Sequence, residues 1–270
     1  MPASLPLILE PVELHPHLGD QGLLIVDLSK PESFARQHIP GAVNLDYVQL
    51  VTARPPVMGL LPDDAQLSKV LSGVGLTPDK HVVAYDDEGG AKACRLLWTL
   101  EVIGHRHTSL LNGGLRSWLT AGYPVTGGAA SSTPGDYHAV MGEDAKADKA
   151  YILDHLHDTS VVLLDTRTPG EYRGTDKRAA RGGHIPGAVN LDWTQVLGSD
   201  LRLKPMQELR AMYEKLGVTP DKEVIVYCQT HHRSSHTYVI LKALGYPRVK
   251  GYPGAWSEWG NSPDTPVEAS

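Results

Sequence analysis

Apolar residues in this chain come in short unbroken runs separated by longer stretches of mixed polarity. Residues 23–27 (Leu-Leu-Ile-Val-Asp) and 161–165 (Val-Val-Leu-Leu-Asp) read as strands buried on both faces, each closed by an aspartate. A second pair of runs lies at 82–85 and 224–227, each ending in tyrosine. Each of the second pair is followed by a helix-length segment, 92–102 or 234–244, with Gly104 or Gly245 as its predicted C-terminal cap. Strands alternating with helices predict an α/β fold, a mostly parallel sheet flanked by helices. Ligands of such sheets bind beyond the carboxyl ends of the strands, so 86–92 and 228–234 are the loops to search for chemistry.

The whole pattern is written twice. His38-Ile39-Pro40-Gly41-Ala42-Val43-Asn44-Leu45-Asp46 recurs unchanged as residues 184–192, Thr77-Pro78-Asp79-Lys80 as residues 219–222, and Trp118 as Trp259. Matches that keep their order predict two copies of one domain, 1–126 and 141–270. Between them a linker over 127–140, rich in Gly, Ser and Pro, suits a flexible or wrapped chain. His38 and His184 are identical in both copies and followed by Pro-Gly, which points to scaffolding rather than catalysis. The second copy carries extra residues over 174–183, including Lys177, Arg178 and Arg181. These are read first as a solvated basic loop, with attraction of anions to a nearby site as the alternative.

A length of 270 residues suits two such domains, and 25 basic against 31 acidic residues (net -6) argue against binding nucleic acid or an anionic membrane. No run approaches the 18 apolar residues of a membrane span, and Met1 to Glu10 lacks a basic region and a cleavage site. A cytoplasmic location is therefore expected. Two cysteines are too few for a disulfide framework. Cys94, mid-helix among Leu96, Leu97 and Trp98, is expected to be a small core residue.

Cys228 differs because it opens a polar loop. Aligning Tyr85 with Tyr227 sets Asp86-Asp87-Glu88-Gly89-Gly90-Ala91-Lys92 against Cys228-Gln229-Thr230-His231-His232-Arg233-Ser234. The first loop is acidic and has no nucleophile, so one working site is expected, in the second half. A cysteine entering a helix faces backbone N–H groups and the positive end of the helix dipole, and Arg233 adds a fixed charge. A fall of about two units from a thiol pKa of roughly 8.5 would raise the thiolate fraction at pH 7 from about 3% to about 75%. Nucleophilicity would drop about 6–10-fold, so the larger benefit is electrostatic holding of anionic substrate, leaving group and loaded sulfur. Cys228, His231, His232 and His236 also have metal-ligand chemistry at short spacing, but Arg233 in their midst disfavours a cation, and neither metal nor cofactor is expected.

The repeated His-Ile-Pro-Gly-Ala-Val-Asn element, the Cys228 loop and Gly254-Ala255-Trp256-Ser257-Glu258-Trp259 together resemble a tandem-domain rhodanese, a sulfurtransferase. The Cys-Gln-Thr-His-His-Arg loop is similar to that of a bacterial subgroup known best from Azotobacter. The resemblance implies two rhodanese-like domains, the first catalytically inactive with Asp86 in the cysteine's place. It implies transfer of sulfane sulfur from thiosulfate, with release of sulfite, to cyanide, a thiol or dithiol, or a protein acceptor, through a persulfide on Cys228. Gln229, Thr230, His231, His232, Arg233 and Ser234 are the expected substrate- and persulfide-binding residues. Trp193 is a further candidate at the mouth. Arg173, in Gly170-Glu171-Tyr172-Arg173, stands near where longer relatives carry a substrate-binding arginine. Alternatives are a 3-mercaptopyruvate sulfurtransferase, a non-catalytic sulfur carrier or interaction protein, and a cysteine phosphatase or arsenate reductase. Against the last, the spacing here is Cys-x4-Arg, where the phosphatases use Cys-x5-Arg to fit a tetrahedral oxyanion.

Overall fold

The computed structural model describes residues 5–130 and 132–269; residues 1–4 of the segment read for a leader, Ser131 of the linker, and Ser270 lie outside the described residues. In chain order the elements are β1 (Ile8–Leu9), α1 (Pro11–Leu14), β2 (Leu23–Asp27), α2 (Pro31–Arg36), β3 (Val43–Asn44), β4 (Thr52–Arg54), β5 (Val57–Leu60), α3 (Asp64–Gly73), β6 (His81–Tyr85), α4 (Ala91–Val102), β7 (Thr108–Leu111) and α5 (Gly114–Thr120). They continue with α6 (Lys149–His155), β8 (Val161–Asp165), α7 (Pro169–Arg173), β9 (Val189–Asn190), α8 (Met206–Lys215), β10 (Glu223–Tyr227), α9 (Arg233–Ala243), β11 (Val249–Gly251) and α10 (Ala255–Trp259). The chain divides into two compact units. Unit 1 comprises Met1–Leu50, Pro62–Gly142 and Gly198–Leu203; unit 2 comprises Val51–Leu61, Glu143–Leu197 and Lys204–Ser270.

In unit 1 the strands run β1-β7-β6-β2-β3, all parallel, with Asp27 opposite Tyr85. Strands β2 and β6 are nearly continuous apolar runs because helices cover both faces of a parallel sheet. One face packs Ile25, Val83 and Leu111 against Phe34, Ile39 and Trp118, each buried. Full burial of such a side chain contributes about 1.5–3 kcal/mol. The described part of the 127–140 linker lies along α3: Gly135 N–H donates to the Ser72 carbonyl (2.8 Å), and Ala139 N–H to Ser68 Oγ (2.9 Å).

Unit 2 repeats the plan with β11-β10-β8-β9, again parallel, and Asp165 opposite Tyr227. Its core joins Leu163, Ile185 and Ile225 with Tyr252, Trp256 and Trp259. One piece of unit 2 comes from the first half of the chain. The antiparallel hairpin β4–β5 docks on α10, where Ser257 Oγ lies 3.0 Å from both the N–H and the carbonyl of Met58.

The repeated nonapeptide is scaffold in both units. His38 donates from Nδ1 to the Phe34 carbonyl and stacks on the Phe34 ring; His184 does the same to Tyr172, each bond 2.8 Å long. Tyr85 and Tyr227 accept the N–H of Ile39 and Ile185, and Asn44 and Asn190 tie the strand ends together through carbonyls of residues 27 and 29, or 165 and 167. These bonds fix the carboxyl ends of the central strands, from which both candidate loops spring.

Candidate active site

Strand β10 ends at Tyr227, the chain turns through residues 228–232, and α9 begins at Arg233. The carbonyls of Cys228 and Gln229 accept the N–H groups of Trp256 and Ser257 in the first turn of α10 (3.0 and 2.9 Å). With its carbonyls engaged on that side, the loop turns N–H groups toward the sulfur. Cys228 Sγ accepts from the N–H of Thr230, the N–H of Ser234 and the Ser234 hydroxyl, and it also meets the Arg233 side chain.

Burial does not separate the two cysteines, since Cys94 and Cys228 are both fully buried. Their neighbours do. Burial pushes the Cys228 thiol up, but the Arg233 charge and the donors from Ser234 and Thr230 outweigh it and hold the thiol below its ordinary value. Cys94 has burial and nearby Asp86 acting together, and its thiol is held well above the ordinary range. Their surroundings thus shift the two thiols in opposite directions.

Arg233 is itself held by Glu171 of α7 through two bonds of 2.7 and 2.8 Å, a bidentate pair. Burial pushes the Glu171 carboxyl up, yet Arg233 and Thr168 pull it down to about 2. Glu171 was not singled out from sequence. A signal was present: Thr168-Pro169-Gly170-Glu171 is a capping box, with Thr168 Oγ1 accepting the Glu171 N–H and Glu171 accepting the Thr168 N–H. A second buried pair, Arg167 with Asp165, lies below; Arg167 stacks on Trp256 at 4.4 Å.

The other expected residues divide. Gln229 is half-buried and donates from Nε2 to the Arg178 carbonyl (3.0 Å); Thr230, His232 and Arg233 are also half-buried. His231 and Ser234 are buried completely, behind the sulfur. Trp193 meets His236 of α9 edge-on at 5.4 Å, one helical turn after His232. Burial holds His236 down at about 4, so it is a neutral ring. Arg173, at the last position of α7, is exposed, and among the described residues no hydrogen bond or ion pair links it to the loop. Of the three basic residues in the 174–183 segment, Arg181 is spent on structure, its guanidinium donating to the carbonyls of Trp259, Ser262 and Thr265. Arg178 is exposed and pairs with Asp176 at 3.1 Å.

A model of the rhodanese-like domain matches the sequence twice, over residues 10–121 and 148–262. The chain belongs to the rhodanese-like family. Thiosulfate sulfurtransferases of Pseudomonas aeruginosa and Azotobacter vinelandii are each 44% identical to it over 266 residues, with 98% of both chains covered. A crystal structure of a 3-mercaptopyruvate sulfotransferase from Escherichia coli is similar with a TM-score of 0.84 at 28% identity, covering 93% of this chain and 99% of that one.

The first rhodanese-like copy has the same strand, loop and helix but a closed cradle. Asp86 Oδ1 accepts the N–H groups of Glu88 and Gly90 (2.9 and 2.8 Å), and Oδ2 those of Lys92 and Ala93 (2.9 and 3.1 Å). A side-chain carboxylate thus fills the ring of donors that in the second copy surrounds sulfur. In both loops N–H groups converge on one point, taken by the Asp86 carboxyl in the first copy and by the Cys228 sulfur in the second.

Proposed function

We propose that this rhodanese-like protein is a thiosulfate sulfurtransferase. The Cys228 thiolate attacks the outer sulfur of thiosulfate, the S–S bond of the donor breaks, and sulfite leaves with the bonding pair. One sulfur atom remains on Cys228 as a persulfide anion. A thiophilic acceptor such as cyanide, a thiol, a dithiol or a protein thiol attacks that terminal sulfur, and the Cys228 thiolate is released. The observation that carries this reading is the convergence of three hydrogen-bond donors and Arg233 on one buried sulfur. Donors held in place before reaction stabilise charge as it moves from thiolate to persulfide without reorganisation. Residues 229–234 form the holding loop in this reading, Trp193 flanks it through His236, and Arg173 is free to meet an incoming anion. The first domain is inactive because Asp86 occupies its cradle, no cofactor takes part, and the reaction belongs to the cytoplasm. The likeness to the Escherichia coli enzyme favours 3-mercaptopyruvate as a second donor.

Incubation with thiosulfate followed by intact-mass measurement tests the proposal. Wild type should gain the mass of one sulfur atom, lose it to cyanide and yield thiocyanate, while Cys228→Ser gains nothing. A wild-type protein that takes up no sulfur and forms no thiocyanate overturns the reading. Side-by-side kcat/KM values for thiosulfate and 3-mercaptopyruvate decide which donor is preferred.

A further inference from the structure

Behind the Cys228 sulfur runs a buried line of polar atoms. His231 Nδ1 lies 2.7 Å from Ser234 Oγ, and the Ser234 hydroxyl bonds to the sulfur. Cys228, His231 and Ser234 are each 0% exposed. His231 reaches the sulfur through the Ser234 hydroxyl that it contacts. The directions of the bonds follow from the donors available. A thiolate only accepts, so the Ser234 O–H points at sulfur; its oxygen must then accept from the imidazole, which places a proton on His231 Nδ1.

The backbone gives an independent reason to look here. His231 has φ 52, a left-handed conformation in which residues other than glycine are uncommon. Its carbonyl accepts the Ser235 hydroxyl at 2.6 Å, which pins the strained peptide. Strain of this kind persists where surrounding bonds over-determine it, and it clusters at working sites. Here it folds the imidazole back under the loop, within reach of the serine. A serine in the first turn of a helix has competing acceptors among the preceding carbonyls, so its hydroxyl needs a second contact to stay on the sulfur. The charged groups here include Arg233 at the sulfur, Glu171 of α7 paired with it, and Arg178, 3.8 Å from Glu171.

We infer that His231 is a positioning residue whose Nδ1–H holds the Ser234 hydroxyl on the Cys228 sulfur, keeping a charge-assisted donor there for both thiolate and persulfide. This goes beyond a loop that merely binds substrate, and it rests on Cys228 being the nucleophile.

The test is titration of the thiolate by its ultraviolet absorbance, with Cys228→Ser as the blank and no sulfur donor present. Ser234→Ala should raise the apparent pKa by about one unit, the size of one lost donor to a charged group. His231→Asn and His231→Gly both tolerate a positive φ, but only asparagine retains an N–H near the Nδ1 position. Asparagine should leave the titration within about 0.3 units of wild type and glycine should raise it by about one unit, while adding glycine to Ser234→Ala should change nothing further. In turnover with thiosulfate, the glycine variant should lose about tenfold in kcat/KM near neutral pH and the asparagine variant less than about threefold. An unchanged titration in Ser234→Ala, a shift in the asparagine variant equal to that in glycine, or additive shifts in the double variant would each overturn the inference. If the glycine variant does not fold, Ser234→Ala and His231→Asn decide alone. A wild-type protein that takes no sulfur from thiosulfate counts against the transferase reading and is a separate result from any of these.

Discussion

Glu171→Gln tests whether the Glu171–Arg233 pair is a main electrostatic strut of unit 2. In the folded protein the Glu171 carboxyl is held at about 2, against an ordinary 4.5. A carboxylate with a depressed pKa lends stability that is complete above its unfolded value and lost as pH falls toward its folded one. The shift corresponds to about 3 kcal/mol at pH 7, about 2 kcal/mol at pH 3.5 and about 1 kcal/mol at pH 3. Glu171 is 1% exposed, so solvent screening takes little from this figure. Glutamine keeps the shape but cannot hold a guanidinium with two charge-assisted bonds, and it leaves Arg233 half-buried beside uncharged oxygen. The loss should therefore approach the full value at pH 7 and shrink by half or more at pH 3. Hydrogen exchange of peptides within 223–243 measures it locally, with peptides from β6 in unit 1 as the control, since a chain of two units need not unfold in one step. A loss under about 0.5 kcal/mol at pH 7, or one that is the same at pH 3, would refute the reasoning.

Three further outcomes are expected. Asp86→Ala strips the partner from four N–H groups, those of Gly90 and Ala93 buried, and should cost unit 1 about 2–4 kcal/mol, part of which returns when a small anion such as sulfate is added; a thermal melt with and without sulfate checks both. Gly59→Ala would put a Cβ 2.4 Å from the Thr230 carbonyl oxygen at a φ of +75, so hairpin and cradle must part; kcat/KM for thiosulfate should fall about tenfold while Met58→Ala stays within about twofold. His81 is held at about 4 by burial and by His107 and His105 nearby. Because its folded pKa is lowered, unfolding gains a proton as pH drops from 6.5 toward 4, and unit 1 should lose up to about 3 kcal/mol across that window in urea titrations. His81→Gln should flatten that loss.

Much of the site was legible in one dimension. Cys228, the helix behind it and Asp86 at the matching position of the first copy all lie within a few residues of a strand end, and strand ends announce themselves by apolar runs and by the duplication. Arg233 and Ser234 follow directly in the chain. What escaped notice depends on distance along it. Glu171 stands 62 residues from the arginine it holds, and Met58 stands 199 residues from the serine that docks its hairpin. Arg181, read as a solvated cation, is consumed by carbonyls near the chain's far end. His231 was grouped with the substrate-binding residues because its neighbours in sequence are polar, and a left-handed φ turned it inward.

The amino-acid order by itself determined the α/β class, the doubled domain, the candidate nucleophile and the core position of Cys94, because each rests on local periodicity or on residues adjacent in the chain. Tertiary structure alone decided how the charge on sulfur is managed. It chose the carboxylate that anchors Arg233, the hairpin that seats on Thr230, and the buried imidazole that holds the Ser234 hydroxyl. Burial and pairing are properties of three-dimensional neighbourhoods. A side chain's polarity limits the roles it can take, and only packing determines which of them it performs.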